Sequence, residues 1–475
     1  MAQTFYWYDY ETWGIDPRYT RPSQFAGIRT DLDFNQIGDP LAIYAKPNDD
    51  LLPEPDAVLI TGITPQKATE EGYTEAEFAK LVHEQLTKPG TVSLGYNTLR
   101  FDEAFNRYLF WRNFYDPFEH SWKDNCSSWD IIDMVRLTRA LRPEGINWPE
   151  EDGKPTNRLE KLSVANGIEH ADAHDALSDV RATIAVAKLI KTNQPKLFDY
   201  LFTHRDKKTV QALLDPSKFM PVVHASDKFG SAVLSAAVVL PIVAIEDGRK
   251  ILVFDLKTDP ATVLDLEPEA IATNLFSPRA NLPEGTERIS VKGVKLNASP
   301  VLAPVNTVDN AAAARINYDT TKAKTYLETI KKHHKEMADK LSQAFNIDYA
   351  KLSSERSGFI DAEARLYDGF LGDADRQKAQ KVVDGNLDIS FKDERMQDML
   401  WHYKARNFPD TLSDEERQNW QDYRTERLTK SPNNFEKFAK RIQELSAQDD
   451  ITPAKQHLLE QLQLYAESIY PFEEY

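Results

Sequence analysis

Two acids stand two residues apart in the stretch Phe5-Tyr6-Trp7-Tyr8-Asp9-Tyr10-Glu11-Thr12. The stretch is apolar and aromatic, so it reads as a central β-strand. Residues i and i+2 of a strand share a face, so Asp9 and Glu11 point the same way. Two carboxylates side by side on a buried strand repel each other and are costly to bury unless a cation joins them. Taken alone, the pair is open to two readings: half of a divalent-metal site, or an ordinary strand end with two surface acids. Asp102 follows Asn97-Thr98-Leu99-Arg100-Phe101 and the short apolar run that ends at Gly95. It is either a first-turn helix acid favoured by the macrodipole, or an acid delivered to the sheet edge, where open α/β sheets hold ligands. His174 and Asp179 lie where an Ala-rich helical pattern begins, running from Asp175 to Lys188. Five residues turn a helix by about 140°, so both face one pocket only if His174 sits in the preceding turn. Four carboxylates are hard oxygen donors suited to Mg2+ or Mn2+. An imidazole with an ordinary pKa near 6.5 suits proton abstraction.

The elements that must position these groups are legible in outline. Residues 5–11 read as a first strand, with neighbours at Phe25–Ile28 and Ala42–Ala45 joined by turns such as Gly38-Asp39-Pro40. Leu59–Pro65 reads as a loop. Thr74 to Leu86 reads as a helix opened by a Thr74/Glu77 capping box. Thr91–Asn97 is the next strand and Phe101–Trp111 a helix with Asp102 in its first turn. Arg158–Leu162 is helical, with Gly167 a natural C-terminal cap. Farther on, Val233–Val243 and Lys250–Leu256 read as strands, Asn306–Asn310 as a loop, and Thr320–Phe345 as a charged helix. Residues 350–475 read as helical, with an apolar stripe of Met396, Met399, Leu400, Tyr403 and Phe408.

Between the acids, aromatic and basic residues interleave: Phe114, Tyr115, Phe118, Trp122, Trp129 and Trp148 with Arg107, Arg112, Lys123, Arg136, Arg139 and Arg142. Stacking rings beside guanidinium groups are the parts of a single-strand groove. They are equally the parts of a core, since Ile131, Met134 and Val135 among them call for burial.

Composition narrows the classes. The 475 residues carry a formal net charge of −17, which argues against coating nucleic acid by bulk charge but leaves room for a local basic track. No apolar run approaches the ~20 residues of a membrane span, and no basic-then-apolar leader opens the chain. One cysteine, Cys126, excludes an internal disulfide and a cysteine-built zinc site, and it predicts a reducing compartment.

The ordered set Asp-x-Glu, Asn-x-x-x-Phe-Asp and His-Asp-Ala-x-x-Asp resembles the histidine-bearing branch of the DEDD 3′-5′ exonuclease superfamily. Longer stretches resemble the bacterial exonuclease I (exodeoxyribonuclease I) family within it: Asp9–Thr12, Leu59–Pro65, Leu141–Pro149, Ala165–His170, Asp199–Arg205 and Arg406–Pro409. The resemblance is dense to residue 230, thin to 350 and moderate beyond. It implies an α/β, RNase H-like exonuclease domain with a mixed sheet over 1–195. A small SH3-like β-rich domain over 196–350 and a helical C-terminal domain over 351–475 would follow. It implies hydrolysis of single-stranded DNA from the 3′ end to 5′-mononucleotides, in DNA repair and recombination, by a cytoplasmic monomer. Asp9, Glu11, Asp102 and Asp179 would hold two Mg2+ ions, with Mn2+ able to substitute, and His174 would be the general base. Arg107, Phe118, Trp122, Arg136, Arg142 and Arg158 match strand-contacting positions. Phe118 stands where the family has tyrosine, which keeps stacking and loses a hydroxyl hydrogen bond. Arg142 and Tyr200 match part of a pocket for the acidic C-terminal tail of single-stranded DNA-binding protein.

Overall fold

Strand β1 (Thr4–Thr12) alternates as its sequence requires. Tyr6, Tyr8 and Tyr10 join Phe25, Phe78, Val82, Phe105 and Leu109 in one buried cluster. On the other face Phe5 and Trp7 pack edge to face, and Trp7 Nε1 donates to Thr30 Oγ1 at 3.0 Å. That second face turns from aromatic to acidic along the strand, so Asp9 and Glu11 fall at its C-terminal end. A computed structural model describes residues 3–170, 175–286, 288–354 and 361–471, without the side chains of 279 and 348–354.

β2 (Pro22–Thr30) pairs antiparallel with β1, and β3 (Leu41–Tyr44) antiparallel with β2. β4 (Thr91–Gly95) runs parallel to β1. With β5 (Ser127–Asp130) the sheet order is β3-β2-β1-β4-β5, a mixed sheet as expected. Gly95 closes β4 where a Cβ would lie 2.5 Å from the Tyr8 carbonyl oxygen.

Helices α1 (Pro55–Thr61), α2 (Pro65–Glu71) and α3 (Glu75–Leu86) follow β3. α3 begins with the expected capping box, Thr74 and Glu77 each accepting the other's backbone N–H. The expected loop at 59–65 is corrected: Leu59–Thr61 end α1, which Pro55 opens and Gly62 closes in the left-handed region (φ 69°). α4 (Asp102–Arg112) starts at Asp102.

The chain divides into two compact units, one of Met1–Ser128, Ala171–Arg181 and Gly358–Tyr475, the other of Trp129–His170 and Ala182–Ser357. In the first, the C-terminal helices share a core with the N-terminal segment. Trp13, Leu52 and Val58 pack with Leu428, Phe438 and Leu459, and Tyr108 and Trp111 with Met396, Met399 and Leu400. Met396, Met399, Leu400 and Tyr403 of the stripe are therefore core, whereas Phe408 is 37% exposed beside Tyr403.

That core also buries charge. Arg21 meets Asp50 at 3.0 Å and Glu363 at 3.2 Å; Arg112 meets Glu75 at 2.9 Å. Arg406 pairs with Glu363 and with Asp50, the latter at 3.5 Å, and Arg427 with Asp361 at 2.6 Å and Glu363 at 3.4 Å. Burial pushes the Glu363 carboxyl up, but Arg406, Arg427 and Arg21 outweigh it and hold it well below the usual range. Removing one partner of such a network leaves the others buried and uncompensated, at about 3–5 kcal/mol. Glu363→Ala should lose roughly that much in urea unfolding. Because the carboxyl's folded pKa is depressed, the parent's advantage should be full at neutral pH, begin to fall as pH drops below about 4, and be lost only as pH passes the depressed folded value. A loss under about 1 kcal/mol would show the network to be solvated.

In the second unit α5 (Ile131–Leu141), α6 (Leu159–Ala165) and most of α7 (Ala176–Asn193) accompany a second five-stranded sheet. Its order is Val291–Lys295, Lys250–Asp255, Ala236–Ile245, Val222–Ala225, Leu302–Pro304, around a core of Val222, Val239, Val253 and Val294. This is the β-rich part that the resemblance implies. The strand expected from Val233 begins only at Ala236, because Leu234 and Ser235 take positive φ in a turn. The loop expected at 306–310 is a short 3-10 turn, Val305–Thr307, with a helix starting at Asn310. Thr320–Ser354 is helical, interrupted at His333. No helix among the described residues is long and apolar enough to cross a membrane.

Candidate active site

Asp9 and Glu11 come from the end of β1 and Asp179 from the first turn of α7. One carboxylate oxygen from each lies within 4.8 Å of the others. Asp102 joins them through the backbone. β4 pairs with β1 only through Trp7, and farther along, at Tyr10 between the two acids, the N–H donates to Asp102 Oδ1 at 3.0 Å. The helix carrying Asp102 is set by a buried relay: Tyr10 Oη donates to Asn106 Oδ1 at 2.7 Å, and Asn106 Nδ2 to Tyr8 Oη at 3.0 Å. The structure thus brings all four expected carboxylates to one end of one sheet. His174 lies outside the described residues.

The electrostatics are those of a site built for a cation. Burial, then the carboxylates Asp102, Glu11, Asp179 and Asp175, raise the Asp9 pKa well above its ordinary value. Burial, then Asp179, Asp102 and Asp175, push Glu11 up to about 9. A cluster of hard oxygen donors whose ionised forms are this disfavoured fits a divalent ion. A raised folded pKa contributes stability that is complete below the unfolded value and lost as pH rises through the folded one. In a chelator, the thermal midpoint should therefore fall as pH rises from about 5 to 9, and excess Mn2+ should restore most at the alkaline end. Glu11→Gln should flatten that metal-dependent difference; a parent curve indifferent to Mn2+ at every pH would refute the cation site.

Around the cluster, Arg107 donates to Glu103 Oε1 at 2.9 Å, and its guanidinium lies 5.4 Å from the Phe118 ring centroid. Burial pushes the Glu103 carboxyl up, but His120 and Arg107 hold it down to about 2. Trp122 is 64% exposed. Sequence reasoning missed Tyr367. Its ring lies 6.2 Å from that of Phe118, and its phenol lies near enough to Arg107 to favour that guanidinium's charge. The signal was the stretch Leu366-Tyr367-Asp368-Gly369-Phe370, with Phe370 94% exposed.

The remaining expected residues lie in the second unit. Arg136 is buried and pairs with Asp133 at 2.5 Å. Arg142 donates to the carbonyls of Leu141 and Thr307 at 2.6 and 3.0 Å. Arg158 is exposed and pairs with Glu160 at 2.5 Å. Tyr200 stacks on His204, centroids 4.0 Å apart. Trp129 is core, against Phe198 and Phe202.

Residues 6–187 match an exonuclease family, 205–347 the exonuclease I SH3-like domain, and 360–469 the exonuclease I C-terminal domain. The chain is 42% identical over 480 residues to exodeoxyribonuclease I of Escherichia coli (strain K12), covering 99% of this chain and 98% of that one. It superposes on a moderately thermophilic exonuclease I from Methylocaldum szegediense with TM-score 0.92 and 43% identity, covering 98% and 100% of the two chains. With the zinc-bound form of an E. coli exonuclease I–single-stranded DNA complex the TM-score is 0.92 at 41% identity, covering 99% and 100%.

Proposed function

The chain belongs to the exonuclease I family of exodeoxyribonucleases, and from that premise we propose that it degrades single-stranded DNA from the 3′ end, releasing 5′-mononucleotides during DNA repair and recombination. The observation that carries the reading is the convergence of Asp9, Glu11 and Asp179 within 4.8 Å, with Asp102 bonded to the strand between the first two. These four carboxylates would hold two Mg2+ ions, Mn2+ being able to replace them, which when bound supply activation of water and neutralisation of charge at the phosphodiester. The chain's own groups do the rest. Asp102, by taking the Tyr10 N–H, keeps β1 and α4 in register so that Asp9 and Glu11 keep their direction. His174, next to Asp175 where α7 begins, accepts a proton from the attacking water. Arg107 over Phe118, with Trp122 beside them in sequence, offers a cation and stacking faces to successive bases and phosphates. Arg136, Arg142 and Arg158 supply further phosphate contacts. Arg142 and Tyr200 offer a guanidinium and an aromatic face to the acidic tail of single-stranded DNA-binding protein. The protein acts as a cytoplasmic monomer with three functional parts, 1–195, 196–350 and 351–475.

The test is digestion of single strands labelled at the 3′ or 5′ end, with and without EDTA, beside a matched RNA strand. Immediate release of label as mononucleotide from the 3′-labelled strand only, abolished by EDTA and weak on RNA, is expected. Early release from the 5′ end, or equal digestion of RNA, would overturn the assignment.

A further inference from the structure

Gln24 is a buried amide that no part of the reading above uses. It lies on β2, 3% exposed, directly opposite Glu11 in the antiparallel register. Residues opposite one another in such a pair present their side chains on the same face, so the amide stands beside the acidic cluster. Both of its ends are engaged, and both reach the start of α7. Oε1 accepts the Ala176 N–H at 3.3 Å, and Nε2 donates to Asp175 Oδ2 at 3.2 Å. The orientation of the amide follows from its backbone partner: the Ala176 N–H can only donate, so the amide oxygen faces it and the amide nitrogen faces Asp175.

What Gln24 holds is the turn that carries Asp179. Asp175 Oδ1 caps the helix by accepting the Ser178 N–H at 3.1 Å. The Asp175 carbonyl accepts the Asp179 N–H at 3.0 Å, the first helical bond of α7. The Ala176 N–H is one of the amides a helix start leaves without an internal partner, and Ala176 is fully buried. One glutamine therefore ties the strand pair bearing Asp9 and Glu11 to the helical turn bearing Asp179. A neutral amide is the group this place calls for: a carboxylate would add repulsion to a cluster already crowded with acids, and an apolar side chain would leave the Ala176 N–H unsatisfied.

We propose that Gln24 is a positioning residue for the metal site, setting the distance of Asp179 from Asp9 and Glu11 through its two bonds to Asp175 and Ala176. The inference rests on the reading of the four carboxylates as metal ligands. Its test is Mn2+ affinity, measured from free Mn2+ by electron paramagnetic resonance without any substrate. Gln24→Glu and Asp175→Asn each put like groups face to face. Each should weaken Mn2+ binding roughly 10-fold or more, the scale of losses when groups that orient ligands are removed. The double variant Q24E/D175N restores complementarity with the polarity reversed. The carboxylate now at position 24 can accept from both the amide now at position 175 and the Ala176 N–H, while the oxygen of that amide still caps Ser178. The double variant should bind Mn2+ within about threefold of the parent, a coupling only paired groups give. Thermal midpoints measured alongside separate this role from simple stabilisation. Single variants that melt lower but bind Mn2+ like the parent would overturn the inference, as would a double variant no better than the singles. A parent chain that binds no Mn2+ would instead overturn the metal-site reading, and this inference with it. If Q24E fails to fold, D175N against the double variant still decides the matter.

Discussion

Asp9→Ala and Asp179→Ala should each lose cleavage by about 10³-fold or more, while single-stranded DNA should be held as tightly as by the parent or more tightly. The size follows from the several kcal/mol of charge stabilisation that ions at such a site supply, at about 1.4 kcal/mol per tenfold in rate. The two residues approach from different elements, the end of β1 and the first turn of α7, yet their oxygens lie within 4.8 Å of each other and of Glu11. Loss of either leaves too few donors. Strand binding survives because the proposed contacts at Arg107, Phe118 and Trp122 are separate side chains. Arg107 is anchored by Glu103 and Phe118 rather than by the cluster. Removing an acid also lowers the negative potential met by incoming phosphates, so binding shifts toward tighter. Single-turnover cleavage and fluorescence anisotropy of a labelled strand in EDTA read the two effects apart. Mg2+-dependent turnover within tenfold of the parent in either variant would break the assignment.

The second large effect is at His174. His174→Ala should lose about 10²–10⁴-fold, the usual cost of removing a general base, and should bind Mn2+ like the parent because all four carboxylates remain. Its residual rate should climb with pH, since hydroxide replaces the missing base. A helix-capping role is the competing account. The neighbouring Asp175 takes the Ser178 N–H at 3.1 Å. His174→Asn separates the two, because asparagine keeps a cap acceptor and cannot serve as a base near neutral pH. Cleavage from pH 6 to 9 is the measurement. An Asn variant at near-parental rate would reduce His174 to a structural residue.

How far the sequence could be read depended on the range of the forces involved. The Thr74/Glu77 capping box of α3 was legible because both partners lie within one turn. The shared face of Asp9 and Glu11 was legible because strand pleating has a period of two. Reading failed where an apolar run is compatible with more than one local conformation. Leu59-Ile60-Thr61 sits before Gly-Ile-Thr-Pro and looks like a loop, yet Pro55 starts a helix that Gly62 ends. Val233–Ser235 looks like a strand, yet Leu234 and Ser235 turn the chain with positive φ.

By itself, then, the chain determined the candidate site in kind: four carboxylates and an imidazole in a set order, two of the acids on one strand face. The tertiary structure decided which distant residues bond around the carboxylates and through the core. Asp102 meets the Tyr10 N–H across 92 residues of sequence, Gln24 meets Asp175 across 151, and Arg21 meets Glu363 across 342. Periodicity and capping are set by near neighbours and leave a spacing that can be read. A bond between distant residues leaves none, because it depends on which faces the finished core brings together.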